Sequence, residues 1–272
     1  MDENTLLSAR IKELAGRAWN NDYLTHTGFL SASGLADFYA LPGVRHFGSG
    51  NSGTTQGTSF AVIGGHEDAE RNVVCFLPGY TSAEDFLAGS DMQEEVIRCV
   101  HIKPVSAKFT DVLTHRDYLG ALMNLGIERD RIGDILTDSD DPAKGAYVFV
   151  LRENAEYICS EVSSVKHTTV TARTVRAGEC AIVPKFDVLE GSVASARLDG
   201  VLALVYRLSR SRAQELVERE AVAVGGRIVS SPGYELKEGA RVSVRGHGKF
   251  IYEGVLGGTR KGRQIVRVRI FR

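Results

Sequence analysis

Cysteine is scarce and scattered: Cys75, Cys99, Cys159 and Cys180 are the four in 272 residues, with no C-x-x-C pair and no histidine at ligand spacing. That argues against a disulfide framework or a metal site and predicts buried thiols in a reducing compartment. Long apolar runs are missing too. No stretch of about 18 uncharged apolar residues occurs, so no membrane-spanning helix is expected. The opening MDENTLLSARIKELAGRAWNND has acids where an export signal has a basic region, which predicts a cytoplasmic protein. What remains is an ordinary globular composition, 43% apolar and 25% charged, long enough for two or three domains.

Net charge is nearly absent, at −1, but the balance hides two opposed parts. From residue 197 to 272 there are 16 Lys and Arg against 7 Asp and Glu, whereas residues 1–196 carry 17 against 27. A basic module on a neutral chain is the electrostatic footprint of a phosphate-binding surface, because each cation that meets a phosphate releases condensed counterions. The split points to nucleic acid.

The fold class read from the pattern is α+β, in three parts. Residues 1–89 form a small α/β unit. Its first helix covers residues 2–20, with Leu6, Leu7, Ile11, Leu14, Ala15 and Ala18 on one stripe, and strand-like runs SFAVIG and NVVCFLP follow a Gly/Ser/Thr-rich stretch. Residues 90–183 read as βαββαβ: strand VIRCVHIKPV, helix THRDYLGALMNLG, strands GDIL and AYVFVL, helix ENAEYICSEVSSV and strand TTVTARTV. That order is ferredoxin-like, an open sheet that some RNA-binding modules use. Tyr147 and Phe149 lie two apart on one strand face, and core packing is expected of them ahead of base stacking.

Residues 184–272 hold the basic module, a pair of helices followed by short strands. Leu198, Val201, Leu202, Val205 and Leu208 stripe the first helix, and Ala213, Leu216 and Val217 the second, with Ser209 or Ser211 as N-cap. Arg212 and Arg219 are two helical turns apart and share a side, while Arg210 sits at a helix start where N–H groups and the dipole favour phosphate. In QIVRVRIFR, Val266, Val268 and Ile270 alternate with Arg267 and Arg269, one apolar face and one basic. The turn GGTRKGR places Arg260, Lys261 and Arg263 at a glycine-flanked tip.

The stretch RLDGVLALVYRLSRSRAQELVEREAVAVGGRIVSSPGYELKEGARVSVRG resembles the RNA-binding module named after small-subunit ribosomal protein S-four. Its marks are the opening Arg-Leu-Asp, the Ser-Arg start of the second helix, the V-x-V-x-G-x-x-V hairpin, a Pro and a closing V-x-V. It departs at Glu220 or Ala221, where the family has Gly, at Gly225, where it has Asn, and at Ala240, where it has Asp. Together with GGHEDAER at 64–71, LTHRDYLGALMNLGIERDRIGDIL at 113–136 and GGTRKGR at 257–263, the chain resembles the YlmH family of bacterial S-four proteins. Asn72 and Val73 stand where that family continues with basic residues, which removes the basis for an RNA contact from that loop.

The resemblance implies an RNA-binding protein that is not an enzyme and needs no cofactor, catalytic residue or metal. Its implied partners are large-subunit rRNA, tRNA and the large ribosomal subunit, together with nascent-chain quality-control proteins, in rescue of stalled translation. The implied RNA-binding residues are Arg197, Arg210, Arg212 and Arg219 on the helices; Arg227, Arg245, Lys249, Arg260, Lys261 and Arg263 extend the basic surface, with His115 and Arg116 as a secondary contact. The alternatives are an rRNA-modifying enzyme, a large-subunit assembly factor and a cell-division interaction protein. Three motifs invite enzymatic readings. Gly48 to Gly53 spells G-x-G-x-x-G, but a loop and strand are expected after it where a dinucleotide site needs a helix. His115-Arg116-Asp117 lacks the companions of a kinase loop, with Thr114 or Asp117 expected as a cap. Arg197-Leu198-Asp199 resembles the aspartate motif of pseudouridine synthases, yet it opens the module's own apolar helix, so Asp199 is expected to cap that helix.

Overall fold

The structure, a computed structural model, describes residues 3–47, 51–106, 112–259 and 262–271. It divides into two compact units, Met1–Val183 and Pro184–Arg272. No helix among the described residues is long and apolar enough to cross a membrane. Cys75 and Cys99 are buried, and burial pushes both thiols up, but Cys159 and Cys180 are only partly covered, contrary to the expectation of four buried thiols.

The first unit begins with helix α1 (Glu3–Asn21), whose stripe Ile11, Leu14, Ala15 and Ala18 is buried. Strand β1 (Thr25–His26), helix α2 (Ala32–Ala40) and strands β2 (Val44–Phe47), β3 (Ser52–Thr55), β4 (Thr58–Ile63) and β5 (Val73–Phe76) follow, forming an antiparallel sheet ordered β1-β5-β4-β3-β2. The sequence pattern predicts α1, β4 and β5. It misses α2 and the first three strands because SGTT and VRHF carry little apolar alternation; β3 turns into β4 through Gln56 and Gly57 at φ 51 and 85, a left-handed pair that fits a tight two-residue turn. Phe60, Val62, Val74 and Phe76 bury one face of this sheet against α1 and α2.

Its other face, Ala61, Ile63, Val73 and Cys75, packs with Ile97, Cys99, Tyr147, Phe149 and Leu151 of a second sheet. Short helices α3 (Ala83–Ala88) and α4 (Ser90–Glu94) lead into that sheet, made of β6 (Ile97–Pro104), β7 (Ile132–Thr137), β8 (Ala146–Leu151), β9 (Ser164–Val165) and β10 (Thr168–Val175). Helices α5 (His115–Asn124) and α6 (Arg152–Glu161) complete it. The order β7-β8-β6-β10-β9, antiparallel throughout, is the ferredoxin-like arrangement with one added strand. That strand corrects the expected helix through residue 165: α6 stops at Glu161, since consecutive serines favour leaving a helix and Val165 pairs with Thr168 in a hairpin. Tyr147 and Phe149 are core residues, 6% and 0% exposed, so they offer no stacking platform.

The loop 64–71 locks the two sheets together. Gly65 has φ +87, and a Cβ there would lie 2.4 Å from Phe149 Cδ1, so only glycine lets the loop reach that ring. His66 packs on Phe149 with centroids 4.7 Å apart and places Nε2 3.0 Å from Asp134 Oδ2. Arg71 donates to the carbonyls of Ile132, Phe29 and Arg129, which makes it a structural brace.

The second unit contains β11 (Phe186–Val193), α7 (Leu198–Val205), α8 (Arg210–Glu218), β12 (Val222–Val224), β13 (Arg227–Ile228), β14 (Ala240–Val244), β15 (Gly248–Gly258) and β16 (Gln264–Phe271). Its antiparallel sheet runs β11-β16-β15-β14-β12-β13, with β11, which precedes the helix pair, as an edge strand on β16. Leu198, Val201, Leu202 and Val205 of α7 and Ala213, Leu216 and Val217 of α8 pack on Val242, Val244, Phe250, Tyr252, Val266 and Val268. Both helices end in the same way. After α8 the N–H of Ala221 donates to Leu216 O at 3.1 Å and that of Glu220 to Val217 O at 3.0 Å, with Glu220 at φ 56. This is a Schellman motif with glutamate where glycine is usual, and α7 ends likewise with Arg207 at φ 52. A left-handed non-glycine residue costs about 1–2 kcal/mol, partly offset by the greater unfolded-state freedom of glycine. Glu220→Gly is therefore expected to stabilise the unit by about 0.5–1 kcal/mol, read as a higher denaturant midpoint with unchanged slope.

Candidate nucleic-acid interface

The arginines of α7 and α8 are organised by a carboxylate. Asp199 has no exposed surface. Its Oδ1 accepts from Gly200 N–H at 2.9 Å and Arg197 Nε at 3.2 Å; its Oδ2 accepts from Arg197 Nη2 at 3.2 Å, Arg210 Nε at 3.1 Å and Gln214 Nε2 at 3.1 Å. Asp199 is therefore not the helix cap expected of it, since the N-cap is Arg197. It is a bridge between two helices. Burial works to raise its pKa, but the hydrogen bonds from Arg197, Gln214 and Arg210 outweigh it and hold the carboxyl below its ordinary value.

Around this bridge the chain closes a collar. Leu198 N–H donates to Tyr234 O at 2.8 Å, Asp199 N–H to Pro232 O at 3.1 Å and Leu236 N–H to Ala196 O at 3.0 Å, so the Ser-Pro-Gly-Tyr loop satisfies the start of α7. A Cβ on Gly233 would stand 3.3 Å from the Arg197 guanidinium, so the loop passes close beside that side chain. At the start of α8, Ser209 is the N-cap, accepting from Arg212 N–H at 3.2 Å.

The outer side of α8 repeats the device at the surface. Glu215 pairs with both Arg212 and Arg219, as the shared side of the helix requires. The side chains of Arg197, Arg210, Arg212 and Arg219 remain 38%, 56%, 52% and 68% exposed. Four guanidiniums against two carboxylates leave a positive, outward face whose cations are already oriented.

The other expected residues are spread around the unit. Arg227 is exposed on edge strand β13, Lys249 is exposed on β15, and Arg245 is exposed at the β14–β15 turn, where its N–H donates to Ala221 O at 2.9 Å. Arg263 folds back on β11, donating to Ser192 O at 2.7 Å and to Ser192 Oγ at 3.3 Å. Arg260 and Lys261 lie outside the described residues. The expected basic face of β16 is neutralised: Arg267 reaches Glu190 Oε1 at 2.7 Å and Arg269 reaches Glu253 Oε1 at 2.7 Å. In the first unit His115 and Arg116 are exposed at the start of α5, behind a cap in which Thr114 N–H and Oγ1 both donate to Asp117 Oδ2 at 2.8 Å. Lys166 at 2.8 Å and these bonds bring Asp117 down to about 2. After Gly53 the chain continues as strand β3 and its hairpin, so no helix receives a dinucleotide.

Residues 196–242 match the model of the S4 domain, and residues 93–179 that of the putative RNA-binding domain in YlmH. Over 203 residues, 74% of each chain, the sequence is 30% identical to ribosome-associated protein quality control protein P2 of Bacillus subtilis (strain 168). The chain belongs to the YlmH family. A solved structure of the cell division protein ylmH from Streptococcus pneumoniae is 22% identical with a TM-score of 0.47, covering 66% of this chain and 95% of that one. Within this YlmH-family chain, the S4 match spans α7, α8 and the collar loop, and stops inside β14. Gln214, Glu215 and Gly233 were not singled out from sequence; the acid and amide at i and i+15 become partners only when α7 and α8 pack.

Asp199→Asn keeps the side-chain shape and removes the charge that holds Arg197 and Arg210. It is expected to lower the stability of the unit by about 1–3 kcal/mol at neutral pH, measured by denaturant unfolding. A carboxyl depressed by folding stabilises above its unfolded value, about 3.9, and loses that contribution as pH falls through it toward the folded value. The gap between wild type and Asp199→Asn should therefore close on acidification below about pH 4.

Proposed function

We propose that this protein is a non-enzymatic RNA-binding factor that acts in the cytoplasm on the large ribosomal subunit, gripping rRNA and tRNA during quality control of stalled translation. The observation that carries the reading is the Asp199-anchored arginine face of α7 and α8, within the segment matched by the S4 domain. Family membership and the quality-control name of the Bacillus subtilis relative support the ribosomal setting. In this reading Arg197, Arg210, Arg212 and Arg219 meet phosphates, and Arg227, Arg245, Lys249 and the Arg260, Lys261 and Arg263 tip extend the contact along the unit. Structured RNA hides its base edges in a deep groove, so recognition is by shape and phosphate position. Preset guanidiniums suit that task because little side-chain freedom is lost on binding.

Neutralising about five phosphates gives a log–log salt slope of roughly −3 to −5. Arg210→Ala with Arg212→Ala in the full chain is expected to weaken binding to large-subunit rRNA and flatten that slope by about 2, with the fold retained by circular dichroism. Unchanged affinity in a folded double variant would remove the arginine face from the interface. In cells, crosslinks to large-subunit rRNA and tRNA in the free large-subunit fraction support the ribosomal assignment, whereas crosslinks scattered over unrelated RNAs overturn it.

A further inference from the structure

The ferredoxin-like sheet of the first unit has two faces, and neither is fully open. Val100, Ile102, Val148, Val150 and Val170 bury one face beneath α5 and α6. On the other, Ile97, Cys99, Phe149, Leu151 and Val175 lie in the core shared with the first sheet. The cover ends within the row of Tyr147, which is buried with Leu136 packed on the same core, and leaves the β6 and β10 side of the sheet's end open. Strand register puts Leu136, Tyr147, His101 and Arg173 side by side across β7, β8, β6 and β10, and Lys103 beside Thr171 in the next row. Alternation along each strand puts Lys103, Thr169, Thr171 and Arg173 on the same face as His101.

This row has its own order. The His101 and Tyr147 rings stack 4.2 Å apart at 2°, and His101 Nε2 donates to Lys144 O at 2.8 Å, which fixes the imidazole beside Arg173. Lys103, Arg173, Thr169 and Thr171 are exposed. Neither Lys103 nor Arg173 is in an ion pair with any described residue, unlike Arg212 and Arg219, Arg267 and Arg269 in the other unit. Lys103 and Arg173 are diagonal neighbours on adjacent antiparallel strands, a placement that puts residues about 7–8 Å apart, within reach of long side chains. Two cations without an ion pair among the described residues, with exposed threonine hydroxyls beside them on the same sheet face, match the phosphate groups of a polynucleotide strand.

We infer that this uncovered end of the sheet, centred on Lys103, His101 and Arg173, is a second RNA-contact surface that binds the phosphate backbone independently of the arginine face on α7 and α8. The inference rests on the reading of the protein as an RNA-binding factor. It locates the contact of the middle segment on the sheet rather than at the start of α5, and with a basic row instead of the stacking aromatics of an open RNA-recognition sheet.

The test uses the full chain and in vitro transcribed large-subunit rRNA, with binding measured across a salt series. Lys103→Gln with Arg173→Gln is compared with Arg210→Ala plus Arg212→Ala, and with Lys12→Gln plus Arg45→Gln, a control with the same charge change at exposed positions on α1 and β2. The sheet variant is expected to bind on the order of tenfold more weakly and to flatten the salt slope by about 1–2, with an unchanged unfolding transition, while the control stays within about twofold of wild type. If the sheet variant matches the control while the α8 variant loses affinity, RNA is held by the second unit alone and the inference is overturned, with the broader function intact. Weakened binding accompanied by a lowered unfolding midpoint and an unchanged salt slope means a structural role and also overturns it. If the wild-type chain does not bind this RNA, both readings fall together.

Discussion

A carboxylate with no access to water has to be met by donors, and that requirement organises the second unit. Asp199 draws Arg197 from the start of its own helix and Arg210 and Gln214 from the next, so one group ties α7 to α8 and holds two guanidiniums. The apolar stripes of the two helices fix which sides face the sheet. They do not fix how the outward cations are held. Partial neutralisation by Asp199 and Glu215 lowers the self-repulsion of four clustered arginines while leaving a net positive face.

The first unit is built on a different constraint, the need of two antiparallel sheets to bury their second faces. They meet in one core, and the loop 64–71 ties them by close approach of Gly65 to Phe149, by His66 on Asp134 and by Arg71 on three carbonyls. The consequence is functional as well as structural. A ferredoxin-like sheet that elsewhere presents its face to ligands is here mostly a core surface, and what remains exposed is a narrow basic row at its end.

Charge alone overstates the basic surface of the chain. Arg267 and Arg269 belong to the positive excess counted from sequence, yet each is committed to a glutamate on a neighbouring strand, and Arg263 is folded onto Ser192. Conversely, Lys103 and Arg173 lie in an acidic segment and drew no notice, because opposite charges far apart in sequence cancel in a count but not in space. Neither misreading could be avoided from composition, since cross-strand pairing decides which charges meet.

The amphipathic stripes of α1, α7 and α8, the βαββαβ order and the Arg-Leu-Asp and Ser-Arg signatures were all legible, because local periodicity and short-range capping are written in neighbouring residues. The same is true of Tyr147 and Phe149 as core residues. Strands β2 and β3 and the short hairpin strand β9 were not, having too little apolar pattern to stand out from turns. By itself, then, the sequence determined the strongly periodic elements, the order of those in the middle segment and the RNA-binding character of the C-terminal module. Tertiary structure alone decided which arginines are free and which are spent, that Asp199 bridges helices instead of capping one, and that the middle sheet is covered, because each depends on contacts between residues far apart along the chain whose burial forces them to be satisfied.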